Sequence, residues 1–167
     1  MLSTKLEIEL NKQLNAELFS AYLYLSMSSF LATKNLSGFS NWMKVQFEEE
    51  QAHALKLYKY IIDRGGRVLL QQIESPKNEW TDVIDVFEDI FKHEQKITSM
   101  INELVNLSME EKDHATVNLL QWYISEQVEE EATVSDILEQ LNLIEGKGAG
   151  LFMLDREMKQ RVFVPIA

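Results

Sequence analysis

Long stretches of this chain contain neither proline nor glycine, and this feature limits its fold more than any other. Only two prolines and six glycines occur in 167 residues, and they cluster at a few places. Between those clusters, apolar residues recur at intervals of three and four, which is the spacing of one face of an α-helix. The sequence therefore predicts long helices with few interruptions.

Five helices are predicted from the periodic segments. Four are long, and they run from about Thr4 to Lys34, from Gly38 to Arg64, from Thr81 or Asp82 to the break at Glu110, and from His114 to Asn142. A short fifth helix is expected from Leu151 to about Val162. Gly65 and Gly66 form a strong stop signal for the second helix, and Ser37 is available to cap its start. At about 1.5 Å per residue, each long helix would span about 40 Å.

The connection between the second and third helices is too long for a tight turn. It runs from Arg67 to Trp80, contains Pro76 and shows no helical stripe. A connection of this length can cross a whole bundle, so that the next helix starts at the far end. The predicted fold class is all-α: a long four-helix bundle with this crossover and a short fifth C-terminal helix, in one domain over residues 1–167.

Each long helix has a polar interruption of its apolar stripe near its midpoint. These interruptions are Glu17 on the first helix, Glu50 and His53 on the second, Glu94 on the third, and Gln127 and Glu130 on the fourth. Helices that pack lengthwise bring their midpoints into one layer, so these six side chains are expected to converge. Glu50 and His53 are three residues apart and therefore share one helix face.

Four buried carboxylates need a source of positive charge. Burying an unpaired carboxylate is costly, and no lysine or arginine occupies these inward positions. Either cations neutralise the group, or the carboxyl groups are protonated in a purely structural acidic bundle. Two divalent ions would balance four carboxylates, and oxygen ligands with one imidazole suit iron, manganese or zinc. Thiolate zinc sites and iron–sulfur clusters are excluded because the chain has no cysteine.

A second acidic cluster flanks this group. Glu126 and Glu129 are neighbours of Glu130 on the fourth helix, and Glu49 is adjacent to Glu50 on the second. These carboxylates could hold a third, looser cation, or they could form a solvated acidic face. The sequence leaves both interpretations open.

Aromatic residues and two further histidines lie near the same layer. Tyr24 is one heptad from Glu17, where its phenol could give up an electron and a proton or could simply pack in the core. Trp122 and Tyr123 allow the same two interpretations. His93 points about 100° away from Glu94 around its helix, and His114 begins a helix, so neither is expected to be a ligand.

The overall charge argues against some classes of partner. Twenty-seven acidic and 16 basic side chains give a net charge of −11, which disfavours nucleic acid and anionic membranes and is compatible with cations. No stretch approaches the roughly 18 apolar residues of a membrane span, and the N-terminus lacks a basic region followed by an apolar run. We expect a cytoplasmic protein.

Several motifs resemble those of bacterial-type non-haem ferritins, and the resemblance covers essentially the whole chain. The motifs are Asn15-Ala16-Glu17-Leu18, Glu49-Glu50-Gln51-Ala52-His53, Glu74-Ser75-Pro76, Glu94-Gln95 and the segment from Asn118 to Glu131. The resemblance implies an iron-storage protein with ferroxidase activity. It further implies a hollow homo-oligomeric shell of 24 subunits, in which Fe(II) is oxidised by dioxygen or hydrogen peroxide and stored as a ferric mineral.

The same resemblance assigns roles to individual residues. Glu17, Glu50 and His53 look like the ligands of iron site A, with Glu50 bridging to site B. Glu94 and Glu130 look like the ligands of site B, and Gln127 would lie near the oxygen species between the two irons. A third site typical of this subfamily matches Glu49, Glu126, Glu129 and Glu130. Tyr24 and Trp122 match aromatic residues that the family keeps near the centre.

Two departures from the wider ferritin-like pattern sharpen the assignment. Gln127-x-x-Glu130 stands where symmetric di-iron proteins have a second Glu-x-x-His, so site B should bind iron more weakly and release it more readily. Gln51 stands where bacterioferritin-like chains have a haem-ligating methionine, so no haem is expected. Rubrerythrin-type peroxidases are disfavoured because they need a cysteine-ligated iron.

Overall fold

The computed structural model describes residues 1–165, and this part of the chain folds into five α-helices. The helices are α1 Thr4–Thr33, α2 Ser37–Asp63, α3 Val83–Glu110, α4 His114–Leu143 and α5 Gly148–Met158. The predicted all-α class is confirmed, and the bounds predicted for the four long helices agree within one or two residues. Two residues of the predicted domain, 166 and 167, lie outside the described residues. No helix within residues 1–165 combines the length and apolarity needed to cross a membrane.

Local capping explains where most of the helices start and stop. Ser3, Asp82 and Asp113 each accept a hydrogen bond from the backbone N–H three residues further on, which satisfies a donor that the helix leaves free. At the end of α2, Gly65 adopts a φ of +75°, a conformation that glycine reaches without strain. The predicted stop after Arg64 is therefore confirmed.

The helices pair as α1 with α2 and α3 with α4, and the crossover joins the two pairs. Its first part is fixed by Asn11, whose Nδ2 donates to the Arg67 carbonyl at 3.0 Å and whose Oδ1 accepts from Leu69 N at 2.7 Å. Its last part is anchored by Trp80, whose buried ring packs edge-on against Phe30. The crossover thus carries the chain from one end of the bundle to the other, as predicted.

The apolar core consists of two clusters with a polar layer between them. One cluster contains the C-terminal half of the α1 stripe and the start of α2, including Tyr24, Phe39 and Trp42. The other contains the opposite ends of those helices, including Leu10 and Leu57. The midpoints of all four long helices lie between the clusters, and the buried polar residues on them include Glu17, Gln46, Glu50, His53, Glu94 and Gln127.

The fifth helix docks on the start of α2 and completes it. The Asp155 carboxylate accepts hydrogen bonds from Gly38 N at 2.8 Å and from Phe39 N at 3.0 Å. The expectation that Ser37 caps α2 was wrong: Leu36 occupies the cap position, and no side chain from this turn caps the helix. Both predicted bounds of α5, Leu151 and about Val162, were also wrong, since α5 begins at Gly148 and ends at Met158. The helix is too short for its apolar periodicity to mark either end. The hydrogen bonds of Asp155 to the start of α2, rather than a local sequence signal, fix the position of α5.

Gly38 is the residue that allows this close approach, and we expect Gly38→Ala to displace α5. A Cβ at this position would lie 1.6 Å from the Asp155 carbonyl oxygen. We expect a loss of roughly 2–4 kcal/mol, because the clash adds to the weakening of two buried hydrogen bonds. Thermal unfolding and the rate of proteolysis between α4 and α5 measure the effect. Ser37→Ala is the matched control and should leave both unchanged, because Ser37 is exposed and caps nothing.

Candidate metal centre

Two overlapping groups of ligand atoms occupy the polar layer. Glu17, Glu50 and His53 each offer an atom within 4.8 Å of the others, and so do Glu50, Glu94 and Glu130. Glu50 belongs to both groups. Within residues 1–165 these are the groups whose acidic and histidine side chains could jointly hold an ion. The predicted convergence of the four helix midpoints is therefore observed, and the shared carboxylate is the one expected to bridge.

The three-residue spacing on α2 sets the geometry of the first group. His53 Nδ1 lies 3.7 Å from Glu50 Oε2, with both side chains almost fully buried. The His53 ring is held in place by the edge of Trp122, with ring centroids 5.2 Å apart. Tyr123 donates to the His53 backbone carbonyl at 2.8 Å and so ties α4 to α2 at this height. The imidazole is thereby fixed in position before any ion binds.

Hydrogen bonds from neighbouring side chains orient two of the carboxylates. Gln13, one turn before Glu17, donates to Glu17 Oε1 at 2.8 Å. The Tyr24 hydroxyl donates to Glu94 Oε1 in a short contact, while Gln127 Nε2 lies 3.1 Å from Glu94 Oε2. By contrast, Glu50 Oε1 and Glu130 Oε2 are buried and have no hydrogen-bond partner within the described residues. Buried carboxylate oxygens without donors are the atoms that a bound cation would satisfy.

Further contacts, which the sequence patterns did not reveal, position Gln127. Its Nε2 lies 3.3 Å from Thr98 Oγ1, and the Thr98 hydroxyl donates in turn to Glu131 Oε1. Since Thr98 uses its hydrogen on Glu131, its oxygen accepts from the Gln127 amide. Thr98 lies one turn after Glu94 on α3, and this spacing is the sequence signal that could have indicated it.

The electrostatics of the layer are those of carboxylates crowded together without positive partners. Burial raises the pKa of Glu50 well above its ordinary value, and repulsion from Glu94 and Glu17 adds to that effect. Burial, followed by repulsion from Glu50, raises the pKa of Glu130 in the same way. Burial also raises the pKa values of Glu17 and Glu94. Without cations the carboxyl groups therefore tend to keep protons, and a divalent ion would have to displace them.

A small cavity, which we call the acidic pocket, lies beside the second group. It has a volume of about 80 Å³ and is lined by the carboxylates of Glu49, Glu126, Glu129 and Glu130, together with Trp42, Gln46, Thr133, Val134 and Arg161. The structure thus brings together the four residues of the predicted third site. Glu126 also approaches the first group, with its Oε2 3.9 Å from His53 Nε2. Burial raises the pKa of Glu49 and of Glu126.

Neither of the two other histidines belongs to a ligand group in the described part of the chain. His93 Nε2 lies 2.7 Å from Ser20 Oγ on α1, and burial lowers the pKa of His93 to about 4. His114 is the first residue of α4. The Tyr24 ring packs against Trp42 in the core and its hydroxyl donates to Glu94, while a redox role for the phenol stays a prediction.

Known proteins are similar to this chain both in sequence and in fold. A family model described as a ferritin-like domain matches residues 8–144. A bacterial non-heme ferritin of Bacteroides fragilis is 39% identical over 161 residues, which cover 96% of this chain and 100% of that protein. A bacterial non-heme ferritin of Campylobacter jejuni is 41% identical over 159 residues, 95% of each chain.

A solved structure extends the similarity to the backbone. A novel open pore ferritin from the hyperthermophilic archaeon Archaeoglobus fulgidus superposes with a TM-score of 0.96 at 49% sequence identity, and the match covers 97% of this chain and all of that one. The family model spans most of the chain, and the curated relatives are matched over nearly their full length. The chain belongs to the ferritin family.

Proposed function

We propose that this protein stores iron and that it oxidises Fe(II) to Fe(III) at the paired ligand groups. Membership of the ferritin family and relatives named bacterial non-heme ferritin support the storage role. One observation carries the ferroxidase assignment: two ligand groups in the interior of the bundle share the carboxylate of Glu50. Two ions held by one carboxylate are close enough to deliver two electrons to a single oxygen molecule.

The reaction balances with two Fe(II) ions as substrates. Each gives up one electron, and the pair reduces one dioxygen molecule by two electrons to hydrogen peroxide, which takes up two protons from solution. Where hydrogen peroxide is the oxidant, two Fe(II) ions reduce it to water. The protein supplies the geometry: Glu17 and His53 would hold the first ion, Glu94 and Glu130 the second, and Glu50 would bridge them. The hydrogen bond from the Tyr24 hydroxyl to Glu94 supports a redox role for this phenol beside the two ions.

The two ligand groups differ in a way that favours movement of iron in one direction. The first contains an imidazole, whereas the second contains only carboxylates, with the Gln127 amide beside Glu94. Imidazole binds iron firmly, and carboxylate oxygens exchange ions more readily. We infer that the ion on Glu94 and Glu130 leaves first and that the acidic pocket lies on its route, because Glu130 lines both sites.

A shell of 24 subunits is part of the same proposal. It rests on the family and on the close match to a solved ferritin over the whole of that chain. Exposed apolar side chains on α2 and on the crossover, among them Leu55, Leu69 and Leu70, provide surface that contacts between subunits could cover. The molar mass of the assembly in solution, measured by light scattering, tests this part independently of the chemistry.

Anaerobic titration with Fe(II) should show two tightly bound ions per chain. On addition of oxygen, a transient absorbing diferric species should form and then decay as iron moves to the store. This follows from the two overlapping ligand groups and from the readier release of the second ion. If no stoichiometric binding occurs, the alternative holds: the protein is a structural acidic bundle whose core carboxyl groups are protonated.

A further inference from the structure

The acidic pocket already contains a cation that belongs to the chain itself. Arg161 Nη2 lies 2.5 Å from Glu49 Oε2, and its guanidinium lies over the ring of Trp42, 4.4 Å from the centroid. Both side chains of this ion pair are largely shielded from solvent. The sequence patterns did not indicate this residue, because it lies beyond α5 and 112 positions from its partner.

Two contacts hold the Arg161 segment against α2. The Arg161 backbone carbonyl accepts a hydrogen bond from Asn41 Nδ2 at 3.0 Å. Earlier in the chain, on α5, Asp155 caps the start of α2. The segment is therefore fixed at its backbone, while the long side chain extends into the pocket. A tether of this kind keeps the guanidinium close to the carboxylates even when the side chain moves.

Two polar atoms of the acidic pocket lack hydrogen-bond partners within the described residues. Arg161 Nη1 is buried and has no hydrogen-bond partner within the described residues, and the same is true of Glu130 Oε2 on the pocket wall. One guanidinium faces the four carboxylates that line the cavity, so an excess of negative charge remains. Arginine keeps its charge at any relevant pH. A metal ion can therefore enter fully only if the guanidinium moves aside.

We propose that Arg161 is an internal competitor for the acidic pocket, which keeps a third metal ion weakly held next to the two-ion centre. A weak hold lets an ion leaving Glu130 pass through the pocket instead of remaining there. The ion displaces the guanidinium from Glu49 on entry, and the tethered side chain returns when the ion leaves. This inference rests on the proposed function in one respect, namely that the carboxylate groups bind divalent ions.

Equilibrium binding of Zn²⁺ to the assembled protein tests the proposal without any redox step. Wild type should bind two ions tightly and a third weakly. Arg161→Gln should bind the third ion at least about tenfold more tightly, because its competitor is gone. Arg156→Gln removes the same charge from the exposed face of α5 and should behave as wild type. Circular dichroism and molar mass establish that all variants fold and assemble.

Each outcome of the Zn²⁺ binding experiment either supports competition by Arg161 or contradicts it. Equal affinity for the third ion in wild type, Arg161→Gln and Arg156→Gln would overturn the inference and leave the proposed function standing. If none of the three proteins binds any ion tightly, both the inference and the proposed function would be overturned. Arg161→Lys keeps the charge and provides a second test if the glutamine variant fails to fold. Its third ion should stay weak, and tight binding there would contradict competition by charge.

Discussion

Glu50→Ala is expected to abolish rapid oxidation of Fe(II) and to leave the helical bundle folded. Glu50 is the only residue common to both ligand groups, so its loss weakens the binding of both ions and removes the carboxylate that links them. Loss of residues that merely orient metal ligands costs about 10–100-fold in activity or affinity, and a shared ligand should cost at least about 100-fold. Stopped-flow absorbance after mixing with Fe(II) and oxygen measures the initial rate.

The matched control for this substitution lies two residues away on the same helix. Glu48 is exposed and belongs to neither ligand group, so Glu48→Ala removes the same side chain without touching the centre. Its rate should equal that of wild type. Sedimentation and circular dichroism establish whether each variant assembles. If Glu50→Ala loses the assembled shell, the carboxylate is mainly structural and the ferroxidase proposal loses its central residue.

The second large effect concerns the metal-free protein, which should become more stable when Glu50 is replaced by glutamine. The wild-type carboxyl is buried beside Glu17 and Glu94, and its Oε1 has no partner. Glutamine has almost the same shape and no charge, so repulsion disappears without leaving a cavity. We expect the melting temperature of Glu50→Gln to exceed that of wild type at neutral pH by about 2–4 °C, which corresponds to about 1 kcal/mol at this chain length.

The pH dependence follows from the raised pKa values. Glu50 and Glu130 hold protons more strongly in the folded protein than in the unfolded chain. Their contribution to stability is therefore complete below the ordinary value of 4.5 and is lost as the pH rises through the raised pKa. The melting temperature of metal-free wild type should accordingly fall, relative to that of Glu50→Gln, as the pH increases above that ordinary value. At high pH, Zn²⁺ should raise the melting temperature of wild type above that of Glu50→Gln, because metal ions replace protons on the same oxygens.

Differential scanning calorimetry of wild type, Glu50→Gln and Glu48→Gln over a range of pH measures this effect. Glu48→Gln, the control, removes a carboxyl from an exposed position, and its melting temperature should follow that of wild type across the pH range. A fall in stability of Glu50→Gln at neutral pH, without metal, would show that the Glu50 carboxylate is stabilised by contacts other than cations. It would thereby remove the argument that the layer is built for metal ions.

Much of the fold and the core of the site could be predicted from sequence because they depend on periodicity. The apolar stripes fix which face of each helix is buried, and helices of similar length place their midpoints at one height. Glu17, Glu50, His53 and Glu94 follow from those two facts. The crossover followed from its length and from the absence of a stripe. These features are encoded locally in the sequence, and the packing of the helices brings them together.

The features that could not be predicted include those that depend on how α5 docks, because no local pattern encodes that contact. Asp155 and Arg161 are an acidic and a basic residue near the end of a chain with many charges, and their sequence context distinguishes neither. Only the tertiary structure places Asp155 on the N–H groups of α2 and Arg161 in the acidic pocket. Gln13 lies at helical spacing from Glu17, but a polar residue four positions away is common and carries little weight without its observed burial.

The cap on α2 also affects the order in which the protein can be completed during synthesis. The helix that carries Glu50 and His53 has its first N–H groups satisfied by a residue 117 positions later. A ribosome must therefore translate nearly the whole chain before this helix has its cap. Nascent chains that lack the last segment carry Glu50 and His53 on a helix with an uncapped start, and they also lack the arginine that faces the acidic pocket. The start of this helix is thus completed only once Asp155 has been synthesised.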